Sequence, residues 1–307
     1  LLRHLPRLTC ASSAITNSVV LTPRSAGPMN TIILPASGLA LVLYAVAFAL
    51  LWRHLNTRLH QADDGISGAQ PGVSGIAFVA AALGLICQFF ATVATLIQNE
   101  PVMSLNLSLL GVSNLVACVI VGVTAISTLR VRADNLMLLC LPLAAINLGA
   151  LSLIPAGNTQ TIALDSAQIG HILLSISAYA ALMTAALQSV LIALQERRLR
   201  TPRTGLIGLL PPMESMENLF ITMLWLGVGL LTLSIGTGIF FLQDMFDQRL
   251  VHHTVLTSMS WMVYAGFLTG HHLFGWRGVT GVLWNLAAFA LLLLGYLGSK
   301  FVLEYLL

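Results

Sequence analysis

Charge is what this chain has least of: Lys, Arg, Asp and Glu together make up 8% of its 307 residues. Soluble domains carry about 25% charged residues, so a water-exposed surface of ordinary polarity cannot be assembled from this chain. With 14 basic residues against 11 acidic ones, no nucleic-acid partner is expected. Cysteine is also scarce. Cys87, Cys118 and Cys140 fall singly within apolar stretches and Cys10 lies near the amino terminus. They form no CxxC pair and no zinc spacing, and their bland reading is as small buried hydrophobes. There is no CxxCH, which excludes covalent attachment of haem in the manner of a c-type cytochrome. A Walker loop, a serine elbow and HExxH are missing as well.

What is present in excess is hydrocarbon. Hydrophobic residues make up 57% of the chain and the mean hydropathy is +0.89. Apolar runs of about 18 residues or more mark helices able to cross a hydrocarbon layer of roughly 30 Å. Eight such runs are read: Ile32 to Trp52, Val73 to Ile97, Leu105 to Leu129, Leu136 to Ile154, Ser166 to Leu194, Leu219 to Leu242, Thr254 to Gly270 and Val279 to Val302. The expected fold is all-α, a polytopic membrane helix bundle with about eight transmembrane helices in a lipid bilayer, occupying residues 32–307.

Arginine placement sets the expected orientation. Arg53 and Arg58, Arg130 and Arg132, the group Arg197, Arg198, Arg200 and Arg203, and Arg277 follow runs one, three, five and seven. Those loops are expected to be cytoplasmic. The alternate loops carry Glu100, Asp165, Asp244 and Asp247 with only Arg249 against them. Both termini are then external, facing the periplasm. Residues 1–31 form a separate amino-terminal extension with Arg3, Arg7 and Arg24 and no acid up to residue 28. Two readings are a transit-peptide-like segment and an over-extended frame with Met29 as the natural start; the second is preferred.

Histidine remains. His4 lies in the extension, and His54 and His60 share a loop with arginines, where solvation is the default. His171 stands about six residues into the fifth run, where an ionisable group is costly unless it meets a cavity, a partner or a metal. The alternative is a neutral imidazole hydrogen-bonded to a neighbouring helix. His252 and His253 open the seventh run, and His271 and His272 close it. From His252 to His271 is about 28 Å of helix, so one iron cannot take both. Two levels are implied. His171 and His252 could share the outer one as haem ligands, and His271 marks the inner one with a partner from His54, His60 or another subunit. For His253 and His272 the competing reading is a pair of side chains ending a span at the headgroups.

These residues carry a resemblance. The run His171-Ile172-Leu173-Leu174-Ser175-Ile176-Ser177-Ala178-Tyr179-Ala180-Ala181-Leu182 resembles the histidine-initiated helix of the cytochrome c assembly proteins of the CcsA and ResC type. Met216-Glu217-Asn218-Leu219 leading to Leu230 through Gly238, Trp261-Met262-Val263-Tyr264 running to His271, and Tyr296-Leu297-Gly298 resemble three further blocks of that family in the same order. The chain is also similar to the YpjD-like inner-membrane branch, related to HemX. That likeness rests on Leu209-Leu210-Pro211-Pro212-Met213, His252 to Leu256, Gly270-His271 with Gly275-Trp276-Arg277-Gly278, and Gly298 to Val302.

The resemblance implies a bacterial inner-membrane protein handling haem b non-covalently, with His171 as an external ligand and His271 as an intramembrane one. It further implies haem binding and delivery rather than enzymatic turnover, and a second membrane subunit or an acceptor protein as partner. Two departures limit the likeness. The family's Trp-rich haem-presenting stretch is replaced here by Gln243-Asp244-Met245-Phe246-Asp247-Gln248-Arg249, and its external histidine after the last block has no counterpart before Leu307. His252 is the expected substitute. Alternative readings are a non-haem transporter or regulatory subunit with proton-linked histidines, and a HemX-like regulator of haem synthesis.

Overall fold

The computed structural model describes residues 30–63, 75–98, 104–106, 108–130, 134–154, 161–162, 166–199, 212–241 and 251–298. Among them are eight helices: α1 (Asn30–Asp63), α2 (Gly75–Leu96), α3 (Leu109–Arg130), α4 (Asp134–Leu153), α5 (Ser166–Leu199), α6 (Met213–Phe241), α7 (Val251–Phe274) and α8 (Val279–Leu293). A π-helical turn, Leu294–Gly298, extends α8. Seven of the eight are long and apolar enough to cross a membrane. The exception, α7, has 24 residues, ample length for a bilayer, but two histidine pairs and several hydroxyl residues lower its hydropathy. The protein is a multi-pass helical membrane bundle, as its composition predicts. The amino-terminal extension up to residue 29, Asp244, Asp247 and the chain beyond Gly298 lie outside the described residues.

The helices form two rings of four. α1 packs on α2, α2 on α3, α3 on α4 and α4 back on α1; α5, α6, α7 and α8 close a second ring in the same way. The rings meet along α3 and α5, and α4 touches α5 only lightly. Small residues set the tightest of these contacts. Ala178, Ala180, Ala181 and Ala185 on α5 are fully buried, and a Cβ at Gly227 of α6 would stand 2.6 Å from Leu182 Cδ2. Such side chains let helix backbones approach where lipid offers no hydrophobic drive between helices.

Four polar side chains inside the first ring satisfy one another. Tyr44 donates to Gln88 Oε1, Gln88 Nε2 to Asn114 Oδ1 at 2.8 Å, and Asn114 Nδ2 to Thr92 Oγ1 at 2.6 Å. Thr92 in turn donates to the Gln88 carbonyl at 2.7 Å. The circuit ties α1, α2 and α3 together with no group left over.

Composition gave no hint of one addition. Three short antiparallel strands, β1 (Ile97–Gln98), β2 (Ser104–Asn106) and β3 (Thr161–Ile162), join the α2–α3 and α4–α5 connections in the order β1-β2-β3. They lie at the end of the bundle where α5 begins, called here the His171 end.

Candidate functional site

The site is built at the seam between the rings. A cavity of about 560 Å³ is walled by α3 and α4 on one side and by α5, α6, α7 and α8 on the other. Its size lies within the roughly 300–1,000 Å³ of small-molecule and cofactor pockets. Most of the wall is hydrocarbon, including Val116, Ile120, Ala144, Met183, Leu187 and Phe289. Two histidines line it, His171 from α5 and His253 from α7.

The state of His171 follows from its neighbours. Its Nδ1 lies 3.0 Å from Thr237 Oγ1, and the Thr237 hydroxyl spends its own proton on the Ser234 carbonyl at 2.9 Å. The threonine oxygen is left to accept, so the imidazole donates through Nδ1–H and carries its lone pair on Nε2. Ser175 Oγ donates to the His171 carbonyl at 2.8 Å and meets Ser234 Oγ at 2.7 Å, which fixes α5 against α6 on this turn. A neutral histidine with one nitrogen held and the other bearing a lone pair has the form that metal-ligating histidines take.

Of the two neighbouring histidines on α7, His253 has a described side chain, and its place on the helix is clear. His253, Thr257, Ser260, Tyr264, Phe267 and His271 recur at intervals of four and three residues. The four between the histidines are all buried, Ser260 and Tyr264 at 0% exposure. His253 lies five turns of 3.6 residues before His271, on the same face of the helix, whereas His252 is rotated away by about 100°. His253 lines the seam cavity; the side chain of His252 lies outside the described residues. Reading the spacing backwards from His271 would have favoured His253 from sequence alone.

His271 occupies a second and different cavity, about 27 Å farther along α7 at 1.5 Å per residue. This space, about 350 Å³, is lined by Glu214, Glu217, Asn218, Thr222 and Arg277 beside Phe220 and Phe267. His271 Nδ1 donates to the Trp276 carbonyl at 2.7 Å, so its lone pair is also on Nε2. The loop that supplies this carbonyl is fixed by glycine. Gly275, at φ 67°, ends α7 with its N–H on the His271 carbonyl at 3.1 Å, a left-handed cap that residues with a Cβ resist. A Cβ at Gly270 would collide with the Trp276 indole, which stacks on Trp284 at 5.3 Å. His271 is the only histidine among the described residues lining this cavity. His54 is not on its wall, and the side chain of His60 lies outside the described residues.

Buried oxygens in the second ring with no hydrogen-bond partner among the described residues include the Tyr264 hydroxyl and Asn285 Oδ1. Asn285 Nδ2 is used, donating to Ser189 Oγ at 3.0 Å. Asn147, on the α4 wall of the seam cavity, accepts from Ser113 at 3.2 Å through Oδ1, which turns its amide nitrogen away from Ser113. None of these polar groups was singled out from the sequence; their apolar flanks concealed them. Among the described residues, no cluster of three or more His, Cys, Asp or Glu side chains is placed to hold a bare metal ion.

Known proteins match the chain over most of its length. The family model described as cytochrome C assembly protein covers residues 76–307. The inner membrane protein YpjD of Escherichia coli strain K12 is 31% identical over 264 residues, 86% of this chain and 96% of the relative. A 28.8 kDa protein from the nifR3-like 5′ region of Azospirillum brasilense is 36% identical over 143 residues, 45% of this chain and 52% of its own length. No solved structure matches the chain.

Proposed function

The chain belongs to the cytochrome c assembly protein family, and from that premise we propose that it is a haem-handling protein of the bacterial inner membrane. Haem b is taken non-covalently into the seam cavity, with His171 and His253 as the iron ligands. The observation that carries the reading is the Thr237 hydrogen bond, which commits His171 Nδ1 as a donor and leaves Nε2 for iron on the wall of a cavity that His253 shares. Bis-histidine coordination of a six-coordinate haem takes two neutral imidazoles on opposite faces of the ring; α5 and α7 supply one each. His253 thus replaces His252 as the partner of His171.

The remaining groups have supporting parts. Thr237 orients the ring and raises its basicity, the usual role of a hydrogen-bonding group behind a ligand. The apolar wall excludes water. No Lys or Arg stands on that wall among the described residues, so the propionates belong at the aqueous mouth by His171. The alternating arginine loops support an orientation with this end and both termini outside. His271 marks a second level whose other ligand comes from a partner membrane subunit or an acceptor protein. The role is delivery by ligand exchange rather than turnover.

The test is the absorption spectrum and pyridine haemochrome of protein purified in mild detergent from cells supplied with haem precursor. The parent should show a Soret band with the sharp α and β bands of low-spin haem. His171→Ala should remove it, His253→Ala should convert it to high spin, and His252→Ala should leave it unchanged. A parent that stays colourless with added haem overturns the reading.

A further inference from the structure

The seam cavity is longer than a porphyrin. Along α5 its wall runs from His171 through Ser175, Tyr179 and Met183 to Leu187, about 24 Å at 1.5 Å per residue. A macrocycle reaches only some four bonds from iron to its rim substituents, roughly 6 Å at covalent bond lengths. A haem held at the His171 level therefore leaves the far part of the cavity unfilled.

That far part is hydrocarbon. Ile120 and Cys140 face it from the first ring, Met183 and Leu187 from the second. Cys140 Sγ is itself engaged by Thr124 at 3.6 Å, and the Tyr179 hydroxyl is turned to the Leu292 carbonyl at 3.3 Å. A space so lined does not hold water, and an empty one of this size forfeits packing on every side. Most polar side chains of the cavity, among them His171, Ser175, Ser234, His253 and Asn147, lie toward the other end. α4 makes no substantial contact with α7 or α8, so the seam is not closed by helix packing on the side where a chain would pass to or from lipid.

We propose that the substrate of this cavity is a haem bearing a long isoprenoid chain of the farnesyl type, its macrocycle at His171 and His253 and its chain laid along Met183 and Leu187. The inference rests on the haem reading above and narrows it. In such a haem the chain leaves the ring away from the propionates, which matches a cavity with water at one end and hydrocarbon at the other. Burial of each methylene favours the chain-bearing form, so affinity discriminates between haem b and its prenylated derivative without any additional polar contact.

The experiment is an equilibrium titration of the purified full chain in mild detergent, read at the Soret band, with haem b and with farnesylated haem. The parent should bind the farnesylated form at least tenfold more tightly. Met183→Trp, which fills the far end, should lower the affinity for farnesylated haem at least tenfold more than that for haem b and so abolish the preference; Leu187→Trp serves the same purpose should the first variant not fold. Equal affinities in the parent, or a plug that weakens both haems alike, overturns the inference and leaves the haem reading standing. A parent that binds neither form removes the haem reading itself, and the inference falls with it.

Discussion

The two rings of helices solve the same problem, polar side chains inside hydrocarbon, in opposite ways. In the first, Tyr44, Gln88, Asn114 and Thr92 consume one another's hydrogen-bonding capacity in a closed circuit. In the second, polar groups end in unused atoms: Nε2 of His171 and of His271 at the two cavities, the Tyr264 hydroxyl and Asn285 Oδ1 between them. A closed circuit costs little inside a membrane and has nothing to offer a ligand, whereas an open valence is expensive unless something visits it. Under the proposed function, α1–α4 supply architecture and α5–α8 chemistry. The first ring contributes to the seam cavity mainly through apolar side chains.

The strongest way to break this division is to remove chemistry without disturbing architecture. His171→Ala should lower the haem content of purified protein by more than tenfold while thermal unfolding in detergent changes by no more than a few degrees. A simultaneous collapse of folding would show that the residue belongs to the core instead. Thr237→Val keeps the ligand and removes the group behind it; haem affinity should fall about tenfold, the lower range for a lost supporting hydrogen bond, with the low-spin spectrum retained. An unchanged affinity would show that the tautomer needs no holder.

The converse change acts on the first ring. Asn114→Ala strands Gln88 and Thr92 and should cost about 1–3 kcal/mol, read as a lower unfolding temperature, with haem stoichiometry in the surviving protein unaltered. Loss of haem in step with stability would erase the distinction between the rings. Tyr264→Phe has the smallest expected effect. Its hydroxyl has no partner, so stability should be unchanged or slightly raised, and a clear destabilisation would reveal a bound water joining it to Asn285.

Much of this was legible beforehand, for reasons of scale. A bilayer demands long apolar helices, so the helices and their approximate limits follow from hydropathy. The division into rings does not, because the helices other than α7 are largely apolar all round and no apolar stripe says which neighbour each one takes. Gly227 against Leu182, and the α3–α5 contact, depend on shape rather than polarity. Among site residues, His171 and His271 stood out as ionisable groups within or at the end of apolar runs, but His252 was favoured over His253 because adjacency in sequence hides a rotation of 100°. The stripe His253, Thr257, Ser260, Tyr264, Phe267, His271 carries the helical spacing on which the proposal of His253 rests. Thr237 and Trp276 were unreadable: one acts through a hydroxyl indistinguishable from other threonines, the other through a backbone carbonyl whose position depends on the positive φ of Gly275.

The joint between the rings is made chiefly by one helix pair, α3 against α5, and the seam cavity lies beside it. The arrangement is that of a book bound along its spine. At the roughly 10 Å spacing of packed helices, a swing of about 5° about the spine carries the α4 page nearly 1 Å away from α7 and α8. The width of the cavity at its fore-edge is thereby geared to a rotation that leaves the packing within each ring untouched. Such a rotation widens the seam without any helix unfolding or sliding.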